Sequence, residues 1–394
     1  TVESLLRDMI DPDANTYLAK TTFTSRQWSS TDRRTKTPDD PEGWFGNGDS
    51  NKFLRYDEVG GERRKVMIDA KGPGALVRWW NTCSGDHGTS LKLVVEIDGV
   101  KFYEGSVFRF ASGGALCGAP LSDSQPQGNG YDRRGHDLYL PIPYAKSLLV
   151  YVVETPETKS GCLFYNIETR TYADGTSVEP LTKDALARAK PLIDRVNAEL
   201  MRPAAAPVEG RTTSLAATLK PGERLEKTVF ADADGAAVRQ LICSFGPDPK
   251  PQHLRSTVLE ISFDGERTVW APVGDFFSVG CRYSKYESYF TSASSDGLLA
   301  ARWTMPFEKE MRISLKNVGN EPVKVARFDA VVAPYRWDAA RSLHFGAGWH
   351  SLLRVPARLN GYPFDVNYVE LTGEGYLVGT SVALFSRQLS WWGE

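Results

Sequence analysis

The stretch Asp69-Ala70-Lys71-Gly72-Pro73-Gly74, followed by Leu76-Val77-Arg78 and Cys83, returns later in the chain as Asp232-Ala233-Asp234-Gly235, Ala237-Val238-Arg239 and Cys243. Two further pairs keep the same order. Val95-Glu96-Ile97-Asp98-Gly99 matches Ile261-Ser262-Phe263-Asp264-Gly265, and Tyr139-Leu140-Pro141-Ile142-Pro143-Tyr144 matches Trp303-Thr304-Met305-Pro306-Phe307. The separations are near constant, 160 residues from Cys83 to Cys243 and 166 from Val95 to Ile261. Ordered matches at one long period are the mark of a duplicated structural unit. They predict two copies of one domain, with Cys83 and Cys243 on corresponding strands of different copies and so poorly suited to pair.

Within each copy, short alternating or apolar runs such as 65–68, 75–80, 91–97 and 148–153 are separated by Gly, Pro, Asn and Asp, the pattern of strands in a sandwich. A unit of this size fits an eight-stranded jelly roll better than a smaller immunoglobulin-like sandwich. The expected fold is therefore all-β, tandem jelly rolls with an N-terminal helix and an inter-domain helix. The first helix follows from the stripe Val2, Leu5, Leu6 and Met9, stopped by Pro12. The second has Thr182 as its cap and Leu186, Ala189, Ile193, Val196 and Leu200 on one face, with Pro191 predicting a kink. The expected organisation is a helical leader over 1–20, a first jelly roll over 21–178, a helical connector over 179–207 and a second jelly roll over 208–394, left incomplete in this chain.

Lys+Arg 47 against Asp+Glu 49 leaves a net charge of -2, which argues against a polyanion-binding surface or an acidic disordered tail. No nucleic-acid partner is expected. No window of about 18 apolar residues exists, so no membrane-spanning helix is expected either. The five cysteines show no CxxC spacing, and the five histidines form no HExxH or HxH pair, so neither a metal nor another cofactor is expected. Asp11-Pro12-Asp13-Ala14-Asn15 begins like a calcium loop, but Thr22 stands where the bidentate Glu belongs, and a turn or cap is the simpler reading. Glycine motifs for nucleotides and the G-x-S-x-G of serine hydrolases are missing. A start at Thr1 without Met or a signal segment is what a processed chain looks like, giving a periplasmic or secreted expectation.

The chemistry that remains is carboxylates among aromatics, in a chain with 10 Trp and 16 Tyr. Gly274-Asp275-Phe276-Phe277 follows a run containing Trp270, Glu287 lies in a Tyr-rich stretch, and Glu394 follows Trp391-Trp392-Gly393. Such pairs suit glycoside hydrolysis, in which one carboxylate attacks or activates water, another supplies a proton, and ring faces bind the sugar's C–H surface. The plainer reading makes Asp275 a turn cap and the Trp pair core filling. Near the N-terminus, Asp32-Arg33 and Gly46-Asn47-Gly48-Asp49-Ser50-Asn51 lie in a long polar loop, read either as functional or as ordinary surface.

These segments together resemble glycoside hydrolase family 172. The resemblance rests on Ser29-Ser30-Thr31-Asp32-Arg33, the run 71–80, Gly274-Asp275-Phe276-Phe277-Ser278-Val279-Gly280, Met305-Pro306-Phe307, the run 372–380 and Trp391-Trp392-Gly393-Glu394. It implies double jelly rolls and an exo-acting, retaining hydrolase of α-D-arabinofuranosides or α-D-fructofuranosides in oligosaccharides or polysaccharides, assembled as a trimer or hexamer. It makes Glu394 the nucleophile, and Asp275, Phe276, Asp32, Arg33, Asn47, Asp49, Trp391, Trp392 and Tyr376 are read as substrate-binding residues. Tyr376 replaces the family's usual His, and the family's acid/base Glu belongs to a motif beyond Glu394. The expectation is thus the N-terminal part of such an enzyme, with a second polypeptide completing the second jelly roll. The alternative is a non-catalytic jelly-roll sugar-binding or assembly protein.

Overall fold

The computed structural model describes residues 1–18, 21–37, 39–44, 46, 48–83, 91–124, 135–153, 162–355 and 366–385. Glu394, Trp391, Trp392 and Asn47 lie outside them. Contacts divide the chain into two units, one built from 1–10 and 19–200, the other from 11–18 and 201–393.

In chain order, the strands of the first unit are β1 (Phe23–Ser29), β2 (Arg55–Val59), β3 (Glu62–Lys71), β4 (Gly74–Cys83), β5 (Lys92–Ile97), β6 (Val100–Ser106), β7 (Ser122–Ser124), β8 (His136–Leu138), β9 (Ile142–Tyr144), β10 (Ser147–Val153) and β11 (Leu163–Tyr172). One sheet runs β1-β11-β4-β8-β7, with β9 also pairing β4, and the other runs β2-β3-β10-β5-β6. Every pairing is antiparallel. The alternation of buried and half-buried residues along β11 shows why these sequences settle as strands with one face inward. Leu76, Trp79, Leu93, Val95, Val150 and Ile167 are among the residues of the core that results.

The second unit repeats this design with β12 (Arg211–Leu219), β13 (Arg224–Phe230), β14 (Ala236–Ser244), β15 (Thr257–Phe263), β16 (Glu266–Pro272), β17 (Tyr286–Glu287), β18 (Thr291–Ala293), β19 (Leu298–Ala301), β20 (Met305–Phe307), β21 (Glu310–Asn317) and β22 (Val323–Pro334). Its sheets run β12-β22-β14-β19-β18-β17, with β20 on β14, and β13-β21-β15-β16. If β19 and β20 count as one position and β17 and β18 as an edge extension, the order is first-eighth-third-sixth in one sheet and second-seventh-fourth-fifth in the other. That interleaving is the jelly roll, and β1, β3, β4, β5, β6, β8 with β9, β10 and β11 reproduce it in the first unit.

Cys83 and Cys243 do lie on corresponding strands, β4 and β14. In the second unit, eight jelly-roll positions are occupied among the described residues, between Arg211 and Pro334. Its core includes Leu241, Leu259, Ile261, Phe263, Met305, Phe307 and Phe328.

The two predicted helices form over Val2–Ile10 and Lys183–Leu200, the latter running through Pro191. Ala185, Ala189, Ile193 and Val196 of the long helix are buried together with Val2 and Leu6 in the first unit's core. The helix read as a connector is thus also a packed layer of the first domain, and each Ile or Val so buried contributes about 1.5–3 kcal/mol. No helix among the described residues is long and apolar enough to cross a membrane.

Candidate functional site

The loop after β1 is pinned before it reaches Asp32. Ser30 N–H donates to the Tyr165 carbonyl on β11, and the Tyr165 N–H donates to Ser30 Oγ, at 3.0 and 3.1 Å. Asp32, only 4% exposed, then accepts on both oxygens. Oδ1 receives Arg34 N–H and Nε at 3.1 Å each, while Oδ2 receives Arg34 Nη2 at 2.6 Å and Gly48 N–H at 2.8 Å. The Arg34 side chain, the Arg34 amide and the Gly48 amide hold this carboxyl far below the usual carboxylate range. A Cβ on Gly48 would come within 2.9 Å of Oδ2, which explains the glycine in the Gly46–Asn47–Gly48 run.

Asp32 with Arg33, Arg34, Lys36, Asp40, Gly43, Gly48 and Lys52 lines a cleft of about 740 Å³. A carboxylate has about four lone-pair positions, so Asp32 is saturated by its own loop and acts by shaping the cleft. Arg33, expected as a substrate-binding residue, is exposed and donates to the carbonyls of Ser29 and Thr31. Arg34 orients Asp32, because its planar fork fits a carboxylate two residues back. Asp49 is half-buried in the same loop.

Asp275 belongs to the second unit, on a one-turn helix over Val273–Phe276 that directly follows β16. Its side chain is 16% exposed, Oδ2 lies 3.3 Å from Arg255 Nη1, and the nearby Trp349 favours its charged form. Burial raises its carboxyl above the ordinary range, against the pull of Arg255 and Trp349. The Arg255 guanidinium also lies over the Trp349 ring at 4.5 Å. Trp349 in turn faces Trp270 with centroids 6.0 Å apart. From Phe276, which is buried, rings continue to Phe345 at 6.4 Å, then Trp303 at 5.8 Å, then Phe290 at 4.2 Å. A Cβ on Gly379 would lie 3.9 Å from the Trp303 ring, so the extended segment that carries partly exposed Tyr376 passes this row.

Arg255 and Trp349 were missed in the sequence, for they lie 20 residues before and 74 residues after Asp275 and belong to no motif. Arg34 could have been found from the tandem Arg after Asp32. Among the described residues no three His, Cys, Asp or Glu side chains gather to hold a metal.

Each jelly roll thus carries a carboxylate held by an Arg, and the one in the second unit lies in the helix that also holds the first of a row of aromatic rings. The family model for the GH172 first beta-sandwich domain matches residues 21–189, and the GH172 domain-like model matches residues 209–329. The chain belongs to glycoside hydrolase family 172. Among proteins of curated function, none matches it. Similar solved structures include the major capsid protein P2 of bacteriophage PM2, 8% identical over 80% of this chain and 99% of that one, with a TM-score of 0.23. A putative secreted protein from Eubacterium rectale is 10% identical over 81% and 94%, with a TM-score of 0.21. Scores this low carry no inference, and the fold assignment rests on the strand order.

Proposed function

We propose that the protein is an exo-acting, retaining glycosidase that releases α-D-arabinofuranosyl or α-D-fructofuranosyl units from oligosaccharides or polysaccharides. Family membership supplies the glycoside hydrolase class, and the ordered motifs from Ser29 to Glu394 support the furanoside specificity. The observation that carries the site is Asp275, a carboxyl withdrawn from water, gripped by Arg255 and Trp349, at the head of a row of aromatic rings. In this reading Asp275 accepts a hydrogen bond from a furanose hydroxyl and Phe276, Tyr376, Trp391 and Trp392 enclose the ring. Asp32, Arg33, Asn47 and Asp49 belong to the first unit and are proposed there as a substrate-binding loop in its own right.

Glu394 is the proposed nucleophile. A retaining mechanism needs a second carboxyl about 5 Å away to protonate the leaving oxygen and then activate water. A trimer or hexamer is part of the proposal and is checked by sedimentation. The test of the activity is hydrolysis of chromogenic α-D-arabinofuranosides and α-D-fructofuranosides by the wild type and by Glu394→Gln. Turnover abolished in the variant supports the assignment. Sugar binding that survives Glu394→Gln, with no hydrolysis by the wild type, identifies a sugar-binding module instead.

A further inference from the structure

We infer that the stacked pair Phe290 and Trp303 is a second sugar-binding position, which holds the leaving-group sugar of an oligosaccharide while the furanose to be released sits at Asp275. This rests on the furanosidase reading and specifies what lies on the other side of the bond that breaks.

Three observations point the same way. The ring planes of Phe290 and Trp303 are 3° apart at a centroid distance of 4.2 Å, so Trp303 stacks against one face of Phe290. Phe290 is nevertheless 36% exposed, an aromatic ring at the surface whose orientation is already set. Tyr289 stands edge-on to Phe290 at 4.8 Å, and the Arg302 guanidinium lies over Tyr289 at 4.2 Å, giving the platform a wall with polar groups at its rim. A sugar is recognised by that combination, its C–H face on a ring and its hydroxyl edge toward donors and acceptors.

The position is also connected. The steps from Phe276, the neighbour of Asp275 in sequence, to Phe345, Trp303 and Phe290 are 6.4, 5.8 and 4.2 Å, so the rings form one continuous row from the core to the exposed Phe290. A ring that served only to close the core would not need an oriented, exposed face at the far end of such a row.

The test compares two substrates that differ only in what departs. An α-D-furanosyl fluoride loses fluoride and has no second ring, whereas the corresponding α-linked disaccharide loses a sugar. The arabinofuranosyl and fructofuranosyl pairs are both offered, and the pair that the wild type turns over is used. Phe290→Ala should raise KM for the disaccharide about tenfold, equivalent to about 1.4 kcal/mol, and leave the fluoride unaffected. Phe290→Trp, which restores a ring face, should recover most of the loss, and an unchanged melting temperature shows that the fold is kept. Equal effects on both substrates, or none on either, overturn the inference and leave the furanosidase reading standing. Failure of the wild type to hydrolyse either pair overturns that reading, and the inference falls with it.

Discussion

Asp98 and Asp264 occupy the same place in successive jelly rolls, each at the tip of a two-residue hairpin and each collecting three consecutive backbone N–H groups. Asp98 accepts from Ala145, Lys146 and Ser147 at 3.1, 2.6 and 2.9 Å, and Asp264 from Glu308, Lys309 and Glu310 at 2.7, 2.6 and 2.9 Å. Both have positive φ, 52° and 51°, followed by Gly99 and Gly265 at 81° and 90°, as the tight Asp-Gly hairpin requires. The β5–β6 and β15–β16 hairpins are thereby tied to the turns that lead into β10 and β21. Replacing either Asp by Ala removes the acceptor of three amides, of which those of Lys146, Glu308 and Lys309 are open to water. Each variant should lose about 1–2 kcal/mol of stability in urea unfolding, and the double variant should lose the sum. Losses below about 0.5 kcal/mol would show that the turns hold themselves.

Asp264 gives that tie a pH dependence. Burial works to raise its carboxyl, but the amides of Glu308, Glu310 and Lys309, with His344, outweigh it, and the group ends below its ordinary value of 3.8. The unfolded chain therefore takes up the proton first. The stabilisation is present above about pH 3.8 and is lost as the pH falls through the folded value. Acid unfolding of the second jelly roll should be steeper in the wild type than in Asp264→Asn. Identical acid slopes would contradict this.

Asp275 behaves in the opposite sense. Its folded carboxyl is raised by burial, so its contribution to stability is full below pH 3.8 and is lost as the pH rises through the raised value. At neutral pH the ionised group is a burden on the fold. Asp275→Asn should leave the melting temperature equal or higher and lower kcat/KM on the order of a hundredfold, as expected when a hydrogen bond to the reacting sugar is weakened. A clear fall in melting temperature with normal turnover would make Asp275 a turn cap.

The saturated carboxylate of Asp32 should show itself in exchange. Hydrogen exchange at the amides of Arg34 and Gly48 should speed up markedly in Asp32→Asn, and Gly48→Ala, which forces a Cβ against Oδ2, should do the same. Unchanged protection would mean that the loop is held by Ser30 and Tyr165 alone.

Much of the fold was legible because the repeat marks backbone necessities. Asp98-Gly99 and Asp264-Gly265 recur because few residue pairs make that turn, and Gly74 recurs as Gly235 because a side chain at Gly74 would strike Tyr144 at 2.4 Å. The apolar stripe Ala189, Ile193 and Val196 announced the long helix, though not that it packs into the first core, since a stripe does not name its partner. Short strands such as β20 were not legible, because three residues leave little periodicity to count. The site was legible only where partners are neighbours in sequence. Asp32 and Asp275 stood out by composition, but Arg255 and Trp349 meet Asp275 through the folded sheet alone.

The central claim, a retaining α-D-furanosidase, is tested most directly by following hydrolysis of α-D-arabinofuranosides and α-D-fructofuranosides by proton NMR from the first seconds, before the released sugar mutarotates. The α-anomer should appear first, with the β-anomer following as the sugar equilibrates. A first-formed β-anomer, or no hydrolysis of any α-D-furanoside, would contradict it.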